Sequence, residues 1–191
     1  MRWVPILLLA YVLVVLQATL GDVLTWTGAP VGAIGPDLVA LAGVFLALHA
    51  PTLSDAMLAG WVLGLALDLS TAGSPGGATA VGPMALGYAF AAAVVFQMRE
   101  AVFGDRKPTQ MLLALLFCGV AHGLWITLQS LLGWGEVSWR DYGRLWAQAG
   151  ALAAYTALLM PLGYAAMRRL RRWFVSAPAG RRARLGRGRG V

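Results

Sequence analysis

Asp37 and Asp68 are the two side chains of this 191-residue sequence whose chemistry is hardest to reconcile with their surroundings. Both are carboxylates set in or against long apolar runs, and an acid at membrane depth costs a few kcal/mol unless something shields or pairs it. Asp68 follows Asp55 by 13 residues, about 20 Å of helix, whereas the hydrocarbon core is roughly 30 Å thick. The two cannot occupy opposite headgroup regions of a straight helix, so one of them is shielded or wetted inside the protein. Asp55 has a structural role to hand, because Thr52-Leu53-Ser54-Asp55 has capping-box spacing. Asp68 is then the functional candidate. Asp37 precedes Pro51 by 14 residues and Asp68 follows it by 17, so a turn at that proline sends both acids to a similar depth. There they could share a proton, take a cation or accept a donor from a partner. The plain alternative has Pro36-Asp37 opening one helix and Asp68 ending another, both wet.

His122, Trp125 and Gln129 form a second polar set, at spacings of three and four on one helical face, with Gly119 and Gly123 as a small-xxx-small pair beside them. A lone histidine at such a place hydrogen-bonds a neighbouring helix more often than it ligates a metal. Apart from Cys118, no second histidine or cysteine stands near it with zinc-like spacing, and His49 is far along the chain. No G-x-S-x-G, H-E-x-x-H or Walker lysine is present, and no nucleophile stands beside an evident base. The expectation is a non-enzymatic protein with no cofactor and no metal site.

The elements that would position these residues are set by composition. With 59% hydrophobic and 12% charged residues, the chain has too little polar surface to cover a soluble domain of this size. The expected fold is an all-α integral membrane protein, a bundle of six transmembrane helices. The apolar segments run over 3–20, 35–50, 53–69, 81–98, 109–132 and 144–167. The second and third are short for a span and are expected to be shielded by other helices. If the N-terminus is cytoplasmic, 13 of the 15 basic residues fall on that side, which predicts both termini inside the cytoplasmic membrane. Trp26, Trp134 and Trp139 then belong to the two outer loops. Gln17-Ala18-Thr19 offers no small-x-small cleavage site, so the first segment is expected to remain a span rather than a removed signal.

Residues 1–172 are assigned to the membrane domain and 173–191 to a basic, Arg/Gly-rich cytoplasmic tail expected to be disordered. Arg168, Arg169, Arg171 and Arg172 form a collar at the membrane surface, where each basic residue near anionic lipid contributes about 1 kcal/mol. The bilayer accounts for this charge, so nucleic acid is not an expected partner.

Ala56, Gly60, Gly64 and Asp68 recur every four residues along one face of the third segment. Small residues at that spacing let another backbone approach closely; the glycines serve either bundle packing or a ligand directly. Taken in order, Pro36-Asp37-Leu38, Gly60-xxx-Gly64-xxx-Asp68, Gly76 and Gly82, Gly87-Tyr88, and Arg99-Glu100 give a pattern that resembles the rod shape-determining MreD family over roughly residues 1–170. The long arginine-rich tail departs from that family.

The resemblance implies a non-enzymatic inner-membrane scaffold of the bacterial cell-elongation machinery. Its partners would be MreC and, further out, MreB, RodA and a penicillin-binding transpeptidase. Peptidoglycan synthesis and cell shape would depend on it. It also implies a bundle similar to the substrate-binding component of energy-coupling-factor transporters, and Asp37, Gly60, Gly64, Asp68, Gly87 and Tyr88 as packing or partner-binding residues. The rival reading is a vitamin-capturing component of such a transporter. That needs a pocket of converging polar groups, for which the outer half offers Gln17, Asp37, Asp68 and Gln129.

Overall fold

A computed structural model describes residues 3–27, 32–71, 81–99, 106–131 and 139–174. They form six helices: α1 Trp3–Leu24, α2 Leu38–His49, α3 Leu53–Thr71, α4 Pro83–Met98, α5 Lys107–Leu131 and α6 Trp139–Phe174. Among the described residues the only extended pairing is an isolated antiparallel bridge of Trp26 with Ile34, closed by amide–carbonyl bonds of 2.9 and 3.0 Å. Four helices, α1, α3, α5 and α6, contain stretches long and apolar enough to cross a membrane. The fold is consistent with a helical membrane protein. Gly76, Glu100, Trp134, the side chains of Gln129, Trp139, Arg171 and Arg172, and the tail from 175 onward lie outside the described residues.

The helix ends follow local chemistry. α2 begins at Leu38, later than the apolar run suggests, because Asp37 caps it: its Oδ1 accepts the Ala40 amide at 2.9 Å. It stops at His49, since Pro51 forces the preceding Ala50 into an extended conformation (ψ 137°). α3 starts with Thr52 Oγ1 accepting the Asp55 amide at 3.1 Å, while the same hydroxyl donates to the Asp55 carboxylate at 3.0 Å. The acid thus reaches back to the capping side chain. α3 extends to Thr71, where the Ser70 and Thr71 hydroxyls bond back to the Leu67 carbonyl. α4 starts only at Pro83, as Gly82 adopts φ +129° and proline occupies the first helical position.

The two short helices are therefore α2 and α4, of 12 and 16 residues, rather than the second and third. α6 runs 36 residues, opening at Trp139 within the expected loop and carrying through the basic collar to Phe174.

Packing is serial: α3 lies along α4, α4 along α5 and α5 along α6, while α2 threads among them and touches every other helix. All of α2 from Val39 to Ala47 is buried, so this 12-residue helix is a core element with no face left for lipid. α1 sits outside against α2, α3 and α6, and presents Val4, Leu8, Tyr11, Val15 and Val23 outward. At the centre the Phe117 ring is wedged between Gly43 of α2 and the Tyr88 ring of α4, which it meets edge-on at 5.1 Å.

Candidate functional site

The six residues singled out on α2, α3 and α4 meet in one buried cluster. Gly64 of α3 lies so close to the start of α4 that a Cβ added there would stand 2.5 Å from the Met84 carbonyl oxygen and 2.7 Å from Ala85 Cα. That approach positions Asp68, one turn further on. Its Oδ2 accepts the amides of Gly82 at 2.8 Å and Ala85 at 3.1 Å. Gly82, the N-cap of α4, offers no side chain to cap the helix, and Asp68 supplies one from the neighbouring helix. A carboxylate is suited to the place because the α4 N-terminus carries the positive end of the helix dipole.

Gly60 and Gly87 fix α4 from its two sides. A Cβ on Gly60 would meet the Tyr88 carbonyl at 2.5 Å, and one on Gly87 would meet the Ala121 carbonyl of α5 at 2.6 Å. With its backbone held there, Tyr88 reaches across to α2, and its hydroxyl donates to Asp37 Oδ2. Thr156 of α6 accepts the Asp37 amide at 2.9 Å. Asp37 thus joins α2, α4 and α6, while Asp68 joins α3 to α4.

Neither acid is a water-exposed helix end. Asp37 is 5% and Asp68 2% exposed. Both line a cavity of about 470 Å³, with Gln17, Ser70, Thr71, His122 and Trp125. Gln17 also pins α1 to the start of α2: its Nε2 donates to the Pro36 carbonyl at 2.9 Å and its Oε1 accepts the Leu38 amide at 2.8 Å. The His122 ring donates from Nδ1 to the Cys118 carbonyl at 3.0 Å.

Compared with family models, curated proteins and solved structures, the chain matches none. The site is therefore read from its own geometry. Among the described residues no three acidic, histidine or cysteine side chains stand together as a metal site would require.

Sequence reasoning missed Thr156, which is fully buried and was visible only as a single threonine within the apolar run 151–160. It also left open what would satisfy each acid. Arg99, quoted only as a charged end of the pattern, has a structural task at the other end of the bundle. Its Nη1 donates to the Ala50 carbonyl at 2.6 Å, capping α2, and its guanidinium lies 3.8 Å over the Phe96 ring. The Gly119–Gly123 pair does not act as one packing face. Gly123 receives the Trp146 ring, whereas nothing lies within 4 Å of a Cβ on Gly119.

Proposed function

We propose that this protein is a non-enzymatic membrane scaffold of the bacterial cell-elongation complex, of the MreD type. In this reading six helices span the inner membrane and both termini are cytoplasmic. The short α2, about 18 Å long at 1.5 Å per residue, crosses because the other helices enclose it, and α4, about 24 Å long, crosses between α3 and α5 with Leu86 and Phe90 facing outward. MreC is the principal partner, with RodA, a penicillin-binding transpeptidase and MreB as further members of the assembly.

The observation that carries the reading is the convergence of Asp37, Gly60, Gly64, Asp68, Gly87 and Tyr88, the residues on which the family resemblance rests, into a single knot holding α2, α3 and α4. A scaffold needs a rigid surface, and this knot is a means of making one without chemistry at its centre. Affinity purification from a gentle detergent, followed by identification of co-purifying membrane proteins, tests it. Recovery of an MreC-type protein is the expected result.

A second reading rests on the cavity. Gln17, Asp37, Asp68, Ser70, Thr71 and His122 give it the converging polar groups that a vitamin-capturing component requires, and 470 Å³ suits a small ligand. Co-purification of an ATPase module in place of MreC would favour that reading.

A further inference from the structure

A second cleft, of about 400 Å³, opens between the first turns of α5 and the C-terminal part of α6. It is remote from the carboxylates, since His122, which lines the acidic cavity, lies 15 residues along α5 from Lys107, about 22 Å of helix. Three cations line it, Lys107 from α5 and Arg168 and Arg169 from α6, and among the described residues no acid does. Gln110 and Tyr164 also line it and are themselves buried. The cations are exposed, so the cleft has a polar floor and a positive rim.

The flanks are apolar. Leu158, Leu162, Ala165 and Arg169 recur at spacings of four, three and four, so one stripe of α6 leads from two exposed leucines to the cleft. On α5, Lys107, Met111 and Leu115 share a face, and Leu115 is exposed. Both helices contain stretches apolar enough to span a membrane, and the cleft sits where those stretches end. Positive charge gathered at the foot of an apolar groove complements one kind of molecule.

We propose that this cleft binds the phosphate of an acidic phospholipid, with the headgroup on Lys107, Arg168 and Arg169 and the acyl chains along the Leu158–Leu162 stripe. Arginine matches phosphate oxygens with paired N–H donors, and lysine adds a mobile point charge. Basic pockets between helices at a membrane face hold anionic headgroups in this way. The proposal goes beyond the scaffold reading and does not depend on it.

The test uses the full chain, purified in neutral detergent and stripped of lipid, with bound lipid read by native mass spectrometry. Phosphatidylglycerol is expected to bind in preference to phosphatidylcholine. Each cation removed should weaken phosphatidylglycerol binding roughly fivefold, so Lys107→Gln/Arg169→Gln should weaken it about 25-fold. The tail is present in every variant and cancels. Arg144→Gln, near the other end of α6, should change nothing, and Lys107→Arg/Arg169→Lys, which keeps the charge, should bind as the parent does.

Equal retention of the two lipids, or undiminished phosphatidylglycerol binding by a monodisperse Lys107→Gln/Arg169→Gln protein, would overturn the proposal. So would full displacement of the lipid by millimolar inorganic phosphate, since the cleft would then serve a soluble anion.

Discussion

Two glycine pairs in this chain share a spacing and differ in every physical respect. Gly60 and Gly64 of α3 lie against the α4 backbone, where an added Cβ would stand 2.5 Å from a carbonyl oxygen at each position. Gly119 and Gly123 of α5 have the same four-residue separation, yet a Cβ on Gly119 would meet nothing within 4 Å and one on Gly123 would first meet the rim of the Trp146 ring, at 3.0 Å. Spacing places two small residues on one face; what they do depends on what the opposing helix brings. α4 brings small side chains, Ala85 and Ala92, and a proline-started first turn whose amides need an acceptor. α3 answers with Gly64 for the approach and Asp68 for the acceptor. On α5 no such complement exists, and a single large ring fills the space by Gly123.

The largest break in this comparison should come from Gly64→Leu. The side chain would have to displace backbone, not another side chain, so a cost of about 3 kcal/mol or more is expected. Gly119→Leu should stay within about 0.5 kcal/mol. Thermal stability in detergent, read by fluorescence-detected size exclusion, separates the two. Equal tolerance would contradict the close approach of α3 and α4.

Asp68→Ala should be next. It leaves the Gly82 and Ala85 amides without their acceptor, at a cost of about 1–3 kcal/mol. Asp68→Asn keeps a carbonyl oxygen for those amides and should recover part of the loss. If the two variants unfold at the same temperature, the capping role is wrong.

Tyr88→Phe removes the hydroxyl that donates to Asp37 but keeps the ring packed on Phe117, and about 1–2 kcal/mol is expected. Combined with Asp37→Asn, it should cost less than the sum of the two single changes, because both act on one bond. Strict additivity would remove the link between α2 and α4.

The smallest effect should come from Gln17→Ala, about 1 kcal/mol, because α1 is peripheral and this side chain's two bonds join it to the residues around the start of α2. Protease or hydrogen-exchange protection should fall in α1 and at the Leu38 amide that Gln17 accepts, and nowhere else. A loss of protection spreading to α4 would show that α1 is less peripheral than its exposed flank implies.

Much of this arrangement could be read from residue order. The six helices follow the apolar runs, and the Ala56-Gly60-Gly64-Asp68 face is buried along its length. The similar depth expected of Asp37 and Asp68 from their distances to Pro51 agrees with their lining one cavity. Helix ends were less legible, since hydropathy does not register a cap: Asp37 moves the start of α2, and Gly82 with Pro83 delays α4. The partners of the acids were hidden for a different reason. Tyr88 and Thr156 lie 51 and 119 positions from Asp37, and no local periodicity connects them. His122 was visible as a polar residue in an apolar run, but its place in the same cavity as the acids depends on how α5 is rotated.

The central functional claim is tested most directly by depleting the protein in growing cells and following cell shape and vitamin uptake in the same culture. The scaffold account predicts loss of normal shape with uptake unchanged, restored by the wild-type chain and poorly restored by Gly64→Leu. Normal shape together with loss of uptake of one vitamin would contradict it and assign the acid-lined cavity to transport.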